Sequence, residues 1–194
     1  MLVANNLKIG VSGLNLNLPA FNFQITVGNI LWICGKNGSG KSFLLQTILG
    51  MQKPKEGTVS FSFNSFSYLP QLHELRSHLP FSLKESIPST FKVEQILSVG
   101  LLQEDLLGKA WNTASGGEKQ RAFLTRIFLE NAELVVLDEP TNHLDRASRE
   151  KFWSLLIENL NPSRQALVLV SHEEEVEKQM EFLGQRFSWE KIHV

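Results

Sequence analysis

Two kinds of hydrophobic pattern alternate along the chain. Within the first thirty residues, "LKIGV" and "FNFQITV" switch between apolar and polar positions and are broken by Gly, Asn and Pro, which predicts antiparallel strands. "ILWIC", "LVVL" and "ALVLV" are apolar throughout, as strands covered on both faces of a mainly parallel sheet must be. Between them lie segments of helical spacing. "SFLLQTIL" stops at Gly50, a suitable residue just past a helix end. "EKQRAFLTRIFLE" places Phe123, Leu124, Ile127 and Phe128 on one side, and a later helix carries Phe152, Trp153, Leu156 and Ile157. "TVSFSF" alternates, putting Val59, Phe61 and Phe63 on one face. The alternation predicts an α/β fold. From Leu72 to Asn112 the character changes, with Pro80, Pro88 and weaker helical stretches such as "VEQILSVGLL". The expected organisation is one domain over 1–194, with an α/β core of 1–71 and 113–194 and an inserted, mainly helical sub-domain at 72–112.

Composition narrows the function classes. The chain has 194 residues, 42% apolar and 20% charged, with a net charge of −1 and no long run of Lys or Arg, so no nucleic-acid partner is expected. One cysteine, Cys34, excludes an internal disulfide and reads as a small buried residue. No apolar run approaches the roughly 20 residues that cross a bilayer. The start "MLVANNLKIG" lacks a basic region leading into an apolar one, so no secretory signal is expected.

The chemistry begins at "GKNGSGKS", residues 35 to 42, after a strand and before a helix. Gly35-x-x-x-x-Gly40-Lys41-Ser42 is a phosphate-binding loop pattern in its confirming context. Glycines let successive N–H groups turn toward one anion, and the next helix adds the partial positive charge of its N-terminus. Lys41 reaches the β- and γ-phosphates, and the Ser42 hydroxyl can ligate Mg²⁺. "LVVLDEP" supplies a metal-side carboxylate, Asp138, at the end of an apolar strand; Glu139 beside it suits a general base for an attacking water. Gln71 in "YLPQ" ends another strand, within reach of metal or water. "ASGGEKQR" sets Ser115, Gly116 and Gly117 at the start of an amphipathic helix, and His172 follows a buried strand in "LVLVSHE".

These motifs, in this order, resemble the ATP-binding cassette family of nucleotide-hydrolysing domains over nearly the whole chain. The resemblance implies a P-loop NTPase fold with ATP and Mg²⁺ as ligands. On it, Gly35, Asn37, Gly38, Ser39, Gly40, Lys41 and Ser42 form the Walker A loop. Gln71 is the Q-loop glutamine, with a part in both metal binding and catalysis. Ser115, Gly116, Gly117 and Glu118 are the signature, Asp138 the Walker B aspartate, Glu139 the catalytic base, Asp145 the D-loop residue and His172 the switch histidine. In that family two cassettes stack head to tail, so the resemblance implies a homodimer or a paired cassette when ATP is bound. It further implies a separate membrane-spanning transporter subunit as partner, and a cytoplasmic location at the inner face of the membrane. A soluble regulatory or translation-linked cassette is the alternative. Three departures stand out: Ala114 where the family commonly has Leu, Glu118 where Gln is usual, and no aromatic residue near Val11 to stack on adenine, Phe21 being a nearby ring.

Overall fold

The computed structural model describes residues 1–10, 18–71 and 81–194, with the backbone alone for 173–175. Val11 and residues 72–80 of the expected insert lie outside the described residues. The chain divides into two compact units, one comprising Met1–Phe66, Glu133–Val136 and Asn161–Val194, the other Ser67–Ala132 and Leu137–Leu160.

The first unit opens with a three-stranded antiparallel sheet in which β1 (Leu2–Lys8) lies between β2 (Phe21–Ile25) and β4 (Glu56–Phe61). The apolar positions of β2 alternate strictly, with Phe21, Phe23 and Ile25 buried and Asn22 and Gln24 exposed. In β1 the inward set is Leu2, Ala4 and Leu7, which breaks the two-residue period. An irregularity between Ala4 and Leu7, where Asn6 takes a left-handed φ of 48°, restores the inward direction. That is the effect of one extra residue in a strand, since a single-residue shift exchanges the two faces.

The apolar runs behave as their composition requires. β3 (Asn29–Cys34) pairs in parallel with β7 (Ala166–Val170), Ile33 opposite Val170, and with β8 (Ser188–His193), Cys34 opposite His193. From Ile30 to Cys34 and along all of β7 every residue is buried. The order is β6-β7-β3-β8, where β6 (Leu134–Asp138) contributes Leu134–Val136 to this unit. α1 (Lys41–Ile48) follows β3 and buries Leu44, Leu45 and Ile48. α6 (Glu173–Leu183) buries Val176, Met180 and Leu183.

The second unit holds β5 (Phe66–Leu69) from Ser67 onward and the end of β6, Leu137 and Asp138. It also holds α2 (Val93–Ser98), α3 (Glu104–Leu107), α4 (Gly116–Glu130) and α5 (Arg146–Asn159). Its core gathers Leu83, Ile87, Ile96, Leu107, Trp111 and Ala122. Phe81 stacks on Trp111 at 5.1 Å between ring centroids, and Phe123 meets the same indole edge-on at 5.1 Å. On α5, Phe152, Trp153, Leu155 and Leu156 are buried.

The strand over "TVSFSF" differs from expectation. β4 ends at Phe61, which is 38% exposed, while Phe63 beyond it is buried. Ser62 N–H donates to the Met1 carbonyl just past the strand's end, and the Phe61 and Phe63 rings meet edge-on at 5.8 Å between centroids. Among the described residues no helix is long and apolar enough to cross a membrane.

Candidate nucleotide site

The loop from 35 to 42 has the shape its sequence requires. Gly35, Gly38 and Gly40 take φ values of +151°, +78° and +109°, a region that side chains with a Cβ rarely enter. At Gly35 a Cβ would be driven into the Val194 carbonyl oxygen and would stand 2.9 Å from Ser39 Oγ. Gly40 is the N-cap of α1, and no side chain caps the helix among the described residues. The first amides of α1 therefore face the loop without intrahelical partners, as helix N-termini do. Ser39 Oγ is buried and has no hydrogen-bond partner among the described residues. Lys41 is 7% exposed and folds back over the loop, its Nζ donating to the carbonyls of Gly35 at 2.9 Å and Lys36 at 3.1 Å. Ser42 follows in the first turn, half-buried, and Asn37 and Gly38 are exposed at the loop's tip.

The switch-histidine candidate shares this unit. Ser171 N–H donates to the Ile33 carbonyl at 3.2 Å, carrying the β7–β3 pairing to the start of the loop. His172 is the next residue, exposed, and is the N-cap of α6. Phe21 is a core residue at 5% exposure.

In the second unit the remaining candidates cluster around the start of α4 and the segment after β6. Ser115 is the N-cap of α4; its Oγ accepts from Glu118 N–H at 3.2 Å, and Glu118 Oε2 accepts from Ser115 N–H at 2.8 Å. This is a capping box, which satisfies two end amides reciprocally. Glu118 also pairs with Lys109, Nζ to Oε2 at 2.7 Å. Its carboxyl is held below the usual range by the Lys109 ammonium first and the Ser115 amide second. The Glu in place of the usual Gln thus has a lysine to match it.

A Cβ at Gly116 would meet the His143 ring at 3.2 Å, and one at Gly117 would meet the His143 carbonyl oxygen at 2.7 Å. At Gly117 the obstacle is backbone and glycine is needed for the close approach; at Gly116 the His143 ring would have to give by a few tenths of an ångström. His143 itself has a φ of 66°. Gln120, 2% exposed, donates from Nε2 to the Pro140 carbonyl at 2.7 Å, so α4 grips the segment that carries Glu139. Asp138 is 1% exposed at the end of β6, and Glu139 is 5% exposed with a φ of +50°. A non-glycine residue held there costs free energy that the surrounding structure must supply, a condition common at functional positions. Asp145 is the N-cap of α5, accepting from Ser148 N–H at 2.8 Å, with Arg121 at 3.6 Å. Gln71 lies just past β5, half-buried.

Sequence reasoning missed Gln120, Arg121, Lys109 and His143. Nothing in the spacing of a Lys at 109 and a Glu at 118, or of two glycines and a His143 well downstream, marks them as neighbours before the chain folds. The candidates fit their expected ligands. The uncapped α1, the glycine cradle and the buried Ser39 hydroxyl suit a phosphate chain. In the first unit Ser42 offers a hydroxyl oxygen, and in the second Asp138 and Gln71 offer carboxylate and amide oxygens, donor types that a hard divalent cation takes.

Comparison with known proteins gives the family. The family model described as ABC transporter matches residues 18–142. The zinc import ATP-binding protein ZnuC of Buchnera aphidicola subsp. Baizongia pistaciae is 31% identical over 174 residues, covering 87% of this chain and 73% of that protein. ZnuC of Haemophilus influenzae is 34% identical over 80% of this chain and 60% of its own length. The ergothioneine transport ATP-binding protein EgtV of Helicobacter pylori is 34% identical, covering 80% of this chain and 82% of that one. The chain thus spans between 60% and 73% of the length of these two zinc import relatives. In fold it is similar to the ATP-binding cassette MJ0796, solved as a dimer bound to ADP and Pi, with a TM-score of 0.76 over 92% of this chain and 91% of that one at 23% identity. An inward-facing structure of a metal-chelate type ABC transporter matches with a TM-score of 0.69 at 26% identity, over 93% of this chain and 75% of that one. The chain belongs to the ABC transporter family, as one of its ATP-binding cassettes.

Proposed function

We propose that this cassette binds ATP with Mg²⁺ and hydrolyses it to ADP and phosphate, powering transport by a separate membrane-spanning subunit. The carrying observation is the loop at 35–42, with its left-handed glycines, uncapped helix start and inward-folded Lys41. On entry of the nucleotide, Lys41 exchanges the Gly35 and Lys36 carbonyls for the β- and γ-phosphates. The backbone amides of the loop and of α1 hold the rest of the phosphate chain. Ser42, Asp138 and Gln71 would hold Mg²⁺, which when bound neutralises charge between the β- and γ-phosphates. Glu139 orients and deprotonates the attacking water, and His172 contacts the γ-phosphate.

A second cassette completes the site. Ser115, Gly116, Gly117 and Glu118 of one copy cap the phosphates held by the other, with Asp145 at the same junction. Ser115 reaches a partner's phosphate by giving up one bond of its capping box. Gln71 and the sub-domain that holds α2 and α3 receive the membrane partner. The working location is the cytoplasmic face of the membrane, through that partner. The names of the zinc import relatives favour import as the direction.

The test is Glu139→Gln in the purified protein. ATP binding is retained, phosphate release is abolished, and an ATP-dependent dimer accumulates in sedimentation. Hydrolysis at the wild-type rate would remove Glu139 as base. Co-purification with a multi-span membrane protein from native membranes tests the transport role, and recovery of the cassette from the soluble fraction alone would count against it.

A further inference from the structure

The entry to the phosphate loop is held from one side by the end of β8. Cys34, the last residue of β3, lies in register with His193. Its carbonyl accepts from Val194 N–H at 2.9 Å. Its Sγ lies 3.2 Å from the Ile192 carbonyl oxygen and 3.3 Å from His193 Nδ1. A thiol has one hydrogen. Both contacts are satisfied together when the thiol donates to Ile192 and Nδ1–H donates to sulfur. The next residue, Gly35, has the space of its missing Cβ filled by the Val194 carbonyl oxygen. The Gly35 carbonyl in turn receives Lys41 Nζ. Contacts therefore run without a break from an exposed imidazole, through the thiol and the end of β8, to the lysine of the loop.

We infer that Cys34 and His193 are positioning residues for nucleotide binding: by tying the end of β8 to the end of β3, they fix the Gly35 peptide on which the loop and Lys41 are built. The inference rests on residues 35–42 being the nucleotide loop. Neither side chain touches the nucleotide; both act through Gly35. The thiol is fully buried, which suits it to a structural contact rather than to reaction with solvent species. The imidazole is exposed, so removing it leaves the core packing in place. Asparagine at 193 offers a side-chain N–H close to where Nδ1–H stands.

The experiment compares His193→Ala, His193→Asn, Cys34→Ala and the Cys34→Ala/His193→Ala pair. ATP KM and kcat are read by phosphate release, and amide hydrogen exchange is read over residues 35 to 40 in nucleotide-free protein. His193→Ala is expected to raise KM roughly five- to tenfold with kcat within about twofold, and to speed exchange in the loop. His193→Asn restores both. The double variant is no weaker than Cys34→Ala, because the contact is lost only once. Wild-type KM and loop exchange in His193→Ala would overturn the inference. So would His193→Asn behaving like His193→Ala, or losses that multiply in the double variant. Loop exchange needs no turnover. A wild-type protein that failed to bind ATP would therefore refute the functional reading, while the exchange comparison still decided this one.

Discussion

Glu139 carries a backbone conformation that its side chain does not favour, and the cost can be isolated. Its φ is +50° and it is 5% exposed, immediately after the buried Asp138. The left-handed region costs a residue with a Cβ roughly 1–2 kcal/mol. Glycine avoids that cost but loses more freedom on folding, about 0.5–1 kcal/mol relative to alanine. Replacing Glu139 by Ala keeps the strain, and replacing it by Gly removes it; both delete the same carboxylate. At the midpoints of these ranges the difference leaves Glu139→Gly more stable than Glu139→Ala by roughly 0.75 kcal/mol. At about 2–4 °C per kcal/mol for a chain of this size, its melting temperature should be roughly 1.5–3 °C higher. Scanning calorimetry on the two variants reads the difference directly. Phosphate release should be near background in both, so the more stable variant gains no activity. If Glu139→Ala melts at the same temperature or higher, the strain argument fails, and with it the idea that α4 forces this turn into shape.

Other outcomes follow from the same geometry. Gly117→Ala would push a Cβ to 2.7 Å from the His143 carbonyl oxygen, a backbone atom, and should destabilise by about 1–3 kcal/mol in urea unfolding; a change under about 0.5 kcal/mol would show that the 143 turn yields freely. The Glu118 carboxyl titrates below its ordinary value in the folded chain because of Lys109. Its contribution is therefore complete above the ordinary carboxylate range and is lost as the pH falls through the depressed value. Glu118→Gln should flatten the acid limb of stability against pH, and an unchanged acid limb would remove the Lys109 pairing as its cause. Lys41→Ala should abolish measurable ATP binding in equilibrium titration while leaving the fold intact by circular dichroism; wild-type affinity would contradict its role at the phosphates.

Much of this fold could be read directly from composition and spacing. β3, β6 and β7 bury every residue of "ILWIC", "LVVLD" and "ALVLV", runs of strand length rich in branched residues. The loop at 35–42 is equally legible, because only glycine takes its dihedral angles at no steric cost. β8 and α6 were not seen. The strand "SWEKIH" lies at an edge of the sheet, with four of its six residues exposed and none buried, so no apolar run marks it. α6 shows its apolar stripe only once Val176, Met180 and Leu183 are known to share a buried side. At the candidate site, residue types were readable one motif at a time. The Gln120–Pro140 bond and the His143 contact join segments that local patterns cannot relate, since they depend on how α4 packs against the chain after β6.

The fit of Gly116 and Gly117 against His143 bears on how such motifs are interpreted in general. Because the His143 carbonyl fills the space beside Gly117, and the His143 ring crowds Gly116, these positions would resist replacement, Gly117 the more strongly, even in a descendant that had ceased to meet any nucleotide. Their persistence in such a chain would record internal crowding, and a dead cassette could go on displaying a living one's signature.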